Sequence, residues 1–107
     1  MPNLGLSEFG RFSQPALLIL ISLAGGPKHG SGMVADIEAM DGTHLGPATL
    51  YGAIARLEDY DLIEALPNEG RRRPYRITAA GERVLEVESD KLQRLVAIST
   101  ERLVAPW

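Results

Sequence analysis

Apolar residues recur at helical spacing in four stretches of this chain, with a short strand-like pair between the third and the fourth. The run Ala16–Ala24 (ALLILISLA) is apolar almost all round, which places a helix in the middle of a domain or between subunits. Ser13 is its expected N-cap, Gln14 and Pro15 fill its first turn, and Gly25-Gly26-Pro27 ends it. A second helix is predicted from about Ser31 to Met40, with Met33, Val34, Ile37 and Met40 inward and Asp36 and Glu38 outward. Asp41-Gly42 closes it.

Pro47 opens a third helix, whose fixed φ suits a first turn. Leu50, Ala53, Ile54 and Leu57 form its buried stripe, and Thr49, Gly52, Ala55 and Arg56 fall on the other side with Tyr51 on the flank. The helix should stop at Asp61 in the left-handed conformation. Leu62–Leu66 then reads as a strand, Pro67-Asn68-Glu69-Gly70 as a turn, and Arg72–Ile77 as the return strand. Pro74 cannot donate to a ladder, so an edge hairpin is expected, packed on the helices through Leu62, Leu66, Tyr75 and Ile77.

Thr78 caps a last helix from about Ala79 to Leu103, slightly weakened by Gly81 and carrying an Asp90–Arg94 pair. Leu85, Leu92, Leu95, Val96, Ser99 and Leu103 make an approximately heptad seam, widened by Val84, Val87 and Ile98. A domain this small cannot cover that helix from end to end, so the seam predicts a symmetric dimer. Residues 1–12 read as a short helical arm or loose lead-in, residues 13–78 as the folded unit, and 79–107 as the dimerisation helix. The fold class is thus mostly α with a small β-hairpin.

Composition narrows the chemistry. With 107 residues the chain is one domain, and with no cysteine it has no disulfide framework, thiol catalysis or cysteine zinc site; a reducing cytoplasm is the expected home. Ala16–Ala24 is preceded only by Glu8 and Arg11, lacks the basic lead of a signal peptide, and is too short to span a bilayer. The net charge of −3 argues against a nucleic-acid binder, but the charges are segregated. Glu58, Asp59, Asp61, Glu64 and Glu69 run without a base, and Arg71, Arg72, Arg73 and Arg76 follow without an acid.

Two helices joined by a tight glycine-containing turn, the second with a trimmed, non-acidic outer face, form a helix-turn-helix pattern. The hairpin then supplies a wing whose arginines project where a phosphate backbone would lie. His29 and His44 sit in separate loops, without zinc-ligand spacing or a nucleophile arrangement; no metal, cofactor or catalytic residue is expected.

In order and spacing, Gly26-Pro27-Lys28-His29-Gly30, Ala48-Thr49-Leu50-Tyr51, Arg56-Leu57-Glu58 with Leu62-Ile63, and Gly70–Gly81 (GRRRPYRITAAG) resemble the PadR family of transcriptional regulators. The short last segment is similar to the subfamily with a single C-terminal helix. The resemblance covers about residues 14 to 85. It implies a winged helix-turn-helix that acts as a homodimeric repressor on a palindromic operator, with recognition helices in successive major grooves and wings on the adjacent backbone or minor groove. The positions that would face DNA are Lys28, His29, Thr49, Tyr51, Gly52, Arg56, Arg71, Arg72 and Arg73. Arg56 has the alternative of pairing with Glu58 or Asp59.

The chain departs from the family pattern in placing Gly52 and Ala55 where a basic residue is frequent, Ser31 where an aromatic is frequent, and Asp61 where glycine is frequent. The first departure implies reliance on the wing and on close approach of the helix. A small-molecule effector would act by changing the angle between the two wings. The sole tryptophan, Trp107, is the last residue, so no drug pocket on the last helix is assigned. A winged helix that docks an acidic protein partner instead of DNA is the alternative reading.

Overall fold

The computed structural model describes residues 5–104. Trp107 lies outside them. A 3-10 arm (Leu6–Phe12) leads directly into α1 (Ser13–Ala24), followed by β1 (Lys28–His29), α2 (Gly30–Asp41), α3 (Pro47–Asp59), β2 (Ile63–Ala65), β3 (Pro74–Ile77) and α4 (Ala79–Val104).

Helix α1 is the hub, in contact with the arm, α2, α3, α4 and β3. Its Ile19, Leu20 and Leu23 are fully buried beside Met33 and Ile37 of α2 and Leu57 of α3. That placement follows from a helix apolar on nearly every side. Ser13 does not cap α1: its Oγ donates to the Leu6 and Gly10 carbonyls instead, tying the helix to the arm. Ser22, buried in the same helix, donates to Asp36 Oδ2 at 2.6 Å, so Asp36 turns inward to a hydrogen bond. Met40, by contrast, is exposed, because α2 reaches its last turn beyond the edge of the core.

The third helix carries the expected stripe, with Leu50, Ala53, Ile54 and Leu57 all buried. It ends at Asp59, two residues early, and Asp61 takes a φ of 59° in the turn that follows. Its carbonyl accepts the Thr78 hydroxyl.

The sheet corrects the edge-hairpin expectation. It has three antiparallel strands in the order β1-β3-β2, so the strand that opens with Pro74 is the central one. Proline is tolerated there because it is the first residue of the strand, paired with His29 at the end of β1. Lys28 pairs with Tyr75, which pairs on its other side with Ala65. Ile63 and Tyr75 are buried, whereas Leu66 and Ile77 are only half-buried.

Thr78 does cap α4: its Oγ1 accepts the Gly81 N–H at 3.0 Å. Among the described residues, the ion pair along α4 is Glu88–Lys91 (3.2 Å), and Asp90 and Arg94 form none. Val84 is buried and Leu85 half-buried, but Leu92, Leu95, Val96, Ser99 and Leu103 are all exposed. Their seam is exposed along the distal half of α4.

Candidate nucleic-acid interface

The wing is closed by a tight turn in which the Glu69 and Arg72 backbones exchange both hydrogen bonds (2.7 and 3.0 Å). Only two residues lie between them: Gly70, with a φ of 63°, and Arg71. Glycine adopts that φ without steric cost. The turn therefore falls two residues later than Pro67–Gly70, and it puts Arg71 at the tip with Arg72 and Arg73 on the returning limb. Arg76 is held back at the base, its Nε 2.6 Å from Glu64 Oε2 across the β2–β3 ladder. Arg71, Arg72 and Arg73 are exposed and, among the described residues, form no ion pair. Arg73 makes only a long contact to the Leu66 carbonyl, at 3.4 Å.

Helix α3 faces the same way. A cleft of about 250 Å³ is lined by His29, Gly30, Ser31, Tyr51, Arg71, Arg72, Arg73 and Tyr75. It joins the first turns of α2, the N-terminal half of α3 and the wing. Tyr51 is half-exposed and its hydroxyl lies over Gly30, where a β-carbon would come within 2.7 Å of it. Glycine at position 30 thus lets the phenol lean across the start of α2. Tyr75 forms the floor. Burial, with Glu58 adding to it, raises its phenol above the ordinary value of 10.0 against a smaller opposing pull from Arg73.

The remaining sequence candidates divide. Lys28 is committed to the fold: its Nζ donates to the Ser22 carbonyl at 2.5 Å and the Gly26 carbonyl at 3.2 Å, and stands 3.9 Å from Asp36. It satisfies the C-terminal end of α1. His29 is a strand residue, not a loop residue, and its Nε2 is 2.9 Å from Glu69 Oε1 of the wing. His44 pairs separately with Glu38 at 2.9 Å. The two imidazoles belong to different contacts, and the described residues hold no group of His, Asp and Glu able to bind a metal.

Gly52 is the main correction. The residue read as an open, close-approach position is covered by Phe12 of the arm, whose ring would stand 2.6 Å from a β-carbon there. Arg56 pairs with neither Glu58 nor Asp59. Its Nη1 donates to the Gly52 carbonyl at 2.9 Å, and its guanidinium lies 4.0 Å from the centre of the Phe12 ring. Arg11, which sequence reasoning passed over, lies 4.8 Å from the same ring. With Phe12, Ala48 and Thr49 it lines a shallow concavity beside the first turn of α3. Arg-Phe in a weakly patterned lead-in was the only local signal.

The model of the Transcriptional regulator PadR-like family matches residues 19–87. The chain is 28% identical to a transcriptional regulator structure from Clostridium thermocellum, with a TM-score of 0.71 over 84% of this chain and 89% of that one. It is 26% identical to the TA0346 protein from Thermoplasma acidophilum (TM-score 0.68, covering 91% and 97%). A PadR-like regulator from Bacillus cereus has the same fold at 18% identity (TM-score 0.76, covering 86% and 93%). An uncharacterized 37.1 kDa protein of transposon TN4556 from Streptomyces fradiae is 45% identical over 85 residues, 79% of this chain. The chain spans only a quarter of that relative's length. No helix among the described residues is long and apolar enough to cross a membrane. With a winged helix-turn-helix, a wing of unpaired arginines and a family model matched from α1 into α4, the chain belongs to the PadR-like family of transcriptional regulators.

Proposed function

We propose that this protein is a sequence-specific DNA-binding regulator, acting as a homodimeric repressor on a palindromic operator. The observation that carries the reading is the cleft shared by Tyr51 of α3 and the three unpaired arginines of the wing. A recognition helix and a cationic hairpin opening on one side can meet a major groove and its flanking backbone together. Thr49 and Tyr51 are assigned to phosphate or base-edge hydrogen bonds near the start of α3, and Arg71, Arg72 and Arg73 to phosphates. Lys28 and His29 act indirectly, by holding the wing and the end of α1 in place. Dimerisation is assigned to the exposed seam of α4, Leu92, Leu95, Val96, Ser99 and Leu103, with Leu85 at its root. This reading involves no cofactor and no enzymatic step.

Fluorescence anisotropy with a random-sequence duplex at two salt concentrations tests it. Affinity should fall steeply with salt, and replacing Arg71, Arg72 and Arg73 by glutamine should reduce the log–log slope by about 0.9 for each phosphate no longer neutralised. A wild-type protein that binds no duplex at low salt would instead support docking on an acidic protein.

A further inference from the structure

The arm brings a second cationic site onto the α3 face. At 4.8 and 4.0 Å from one ring centre, the guanidinium carbons of Arg11 and Arg56 can be no farther apart than those two distances laid end to end. Two like charges held that close repel, and among the described residues neither has a carboxylate partner. The Phe12 ring lessens the repulsion through its negative face. Its own position is fixed, since it is buried and fills the space that the missing side chain of Gly52 leaves on α3. Both arginines are exposed, and Arg11 shares its concavity with Thr49.

From this juxtaposition the geometry points to a phosphate-binding site, built by Arg11 and Arg56 on the Phe12 platform, that grips the duplex backbone beside the recognition helix. The inference rests on the DNA-binding reading and deepens it. With Gly52 and Ala55 on that face, Arg56 is the one basic residue of α3, and Arg11 of the arm adds a second charge from outside the helix. Planar, always-charged guanidinium groups with free N–H edges suit phosphate oxygens. Close approach of α3 itself is limited here by the phenyl ring over Gly52, so contact at this point runs through the arm.

The test compares full-length wild type with Arg11→Gln, Arg56→Gln, the double variant, Arg11→Lys and the triple wing variant on the same random duplex, with thermal unfolding of each as a control. Arg11→Gln and Arg56→Gln should each weaken low-salt binding by about three- to tenfold and lower the salt slope by about 0.9, their effects adding in the double variant. Arg11→Lys keeps the charge and should restore the slope. If wild type binds and the wing variant flattens its slope while both glutamine variants leave it unchanged, the arm site is overturned and the DNA-binding reading stands. If Arg11→Lys fails as Arg11→Gln does, the arginine serves packing on Phe12 and the arm site is again overturned. If wild type binds no duplex, both readings fall.

Discussion

Gly81 near the start of α4 is a weak helix former by residue type, yet its absent side chain is what lets α4 dock. A β-carbon there would collide with the Leu62 carbonyl, just before β2, and with the Ile77 side chain at the end of β3. Backbone cannot yield as a side-chain tip can, so Gly81→Ala should cost about 3 kcal/mol, at the upper end of overpacking, measured by denaturant unfolding. Gly52 differs, because what it faces is a phenyl ring. Tyr75 offers a pH readout of the cleft floor. Its raised phenol pKa means that the folded state keeps the proton longer than the unfolded chain. That contribution is intact below the ordinary value of 10.0 and is lost as the pH rises toward the folded value. Subtracting the Tyr75→Phe phenolate titration from that of wild type should leave a midpoint above 10.0.

Among the elements, the arm departs furthest from its sequence pattern. Seven residues, with Gly10 at a φ of 56°, bury Leu6, Phe9 and Phe12 against the domain. The Phe9 ring lies 5.1 Å from that of Tyr60, just past α3, and the Leu6 N–H reaches Glu88 of α4 at 3.4 Å. The arm therefore straps α3 to α4. Phe12→Ala should destabilise the domain by about 3–5 kcal/mol, and thermal unfolding would register it. The wing is held differently. Its side-chain contacts, the His29–Glu69 hydrogen bond and the Arg76–Glu64 ion pair, lie at the surface, where such pairs are worth at most about 1 kcal/mol. Its ladder, with β3 between two partners, carries the register instead.

For the protein as an assembly, the distal half of α4 is decisive. Leu95 and Val96 are 61% and 63% exposed and Leu103 is 82% exposed, in a helix about 39 Å long by its 26 residues. A second copy burying that seam would also set the spacing of two α3 helices, as the proposed palindromic site demands. Replacing Leu95 and Val96 together by glutamate should raise the dimer dissociation constant by about a hundredfold or more. Sedimentation equilibrium should then find the monomer mass where wild type gives twice that mass, and operator affinity should fall with it.

Helix boundaries to within two residues, the buried stripe of α3, the left-handed Asp61 and the cap at Thr78 were legible because each depends on residues within a turn or two of one another. The arginine-rich wing was legible for the same reason, as charge concentrated on a short hairpin. Four features were not: a two-residue β1 that makes Pro74 central, Lys28 spent on the end of α1, Gly81 against a distant carbonyl, and Phe12 seated on Gly52. All but the Lys28 contact, whose carbonyls lie two and six residues back, join segments far apart in the chain, where no periodicity records which surfaces will meet. The order of residues alone was enough to settle the four helices, the β2–β3 hairpin and the cationic charge gathered on its wing. Which of those charges remain available was settled by packing, because only a close-packed interior assigns each small residue its neighbour.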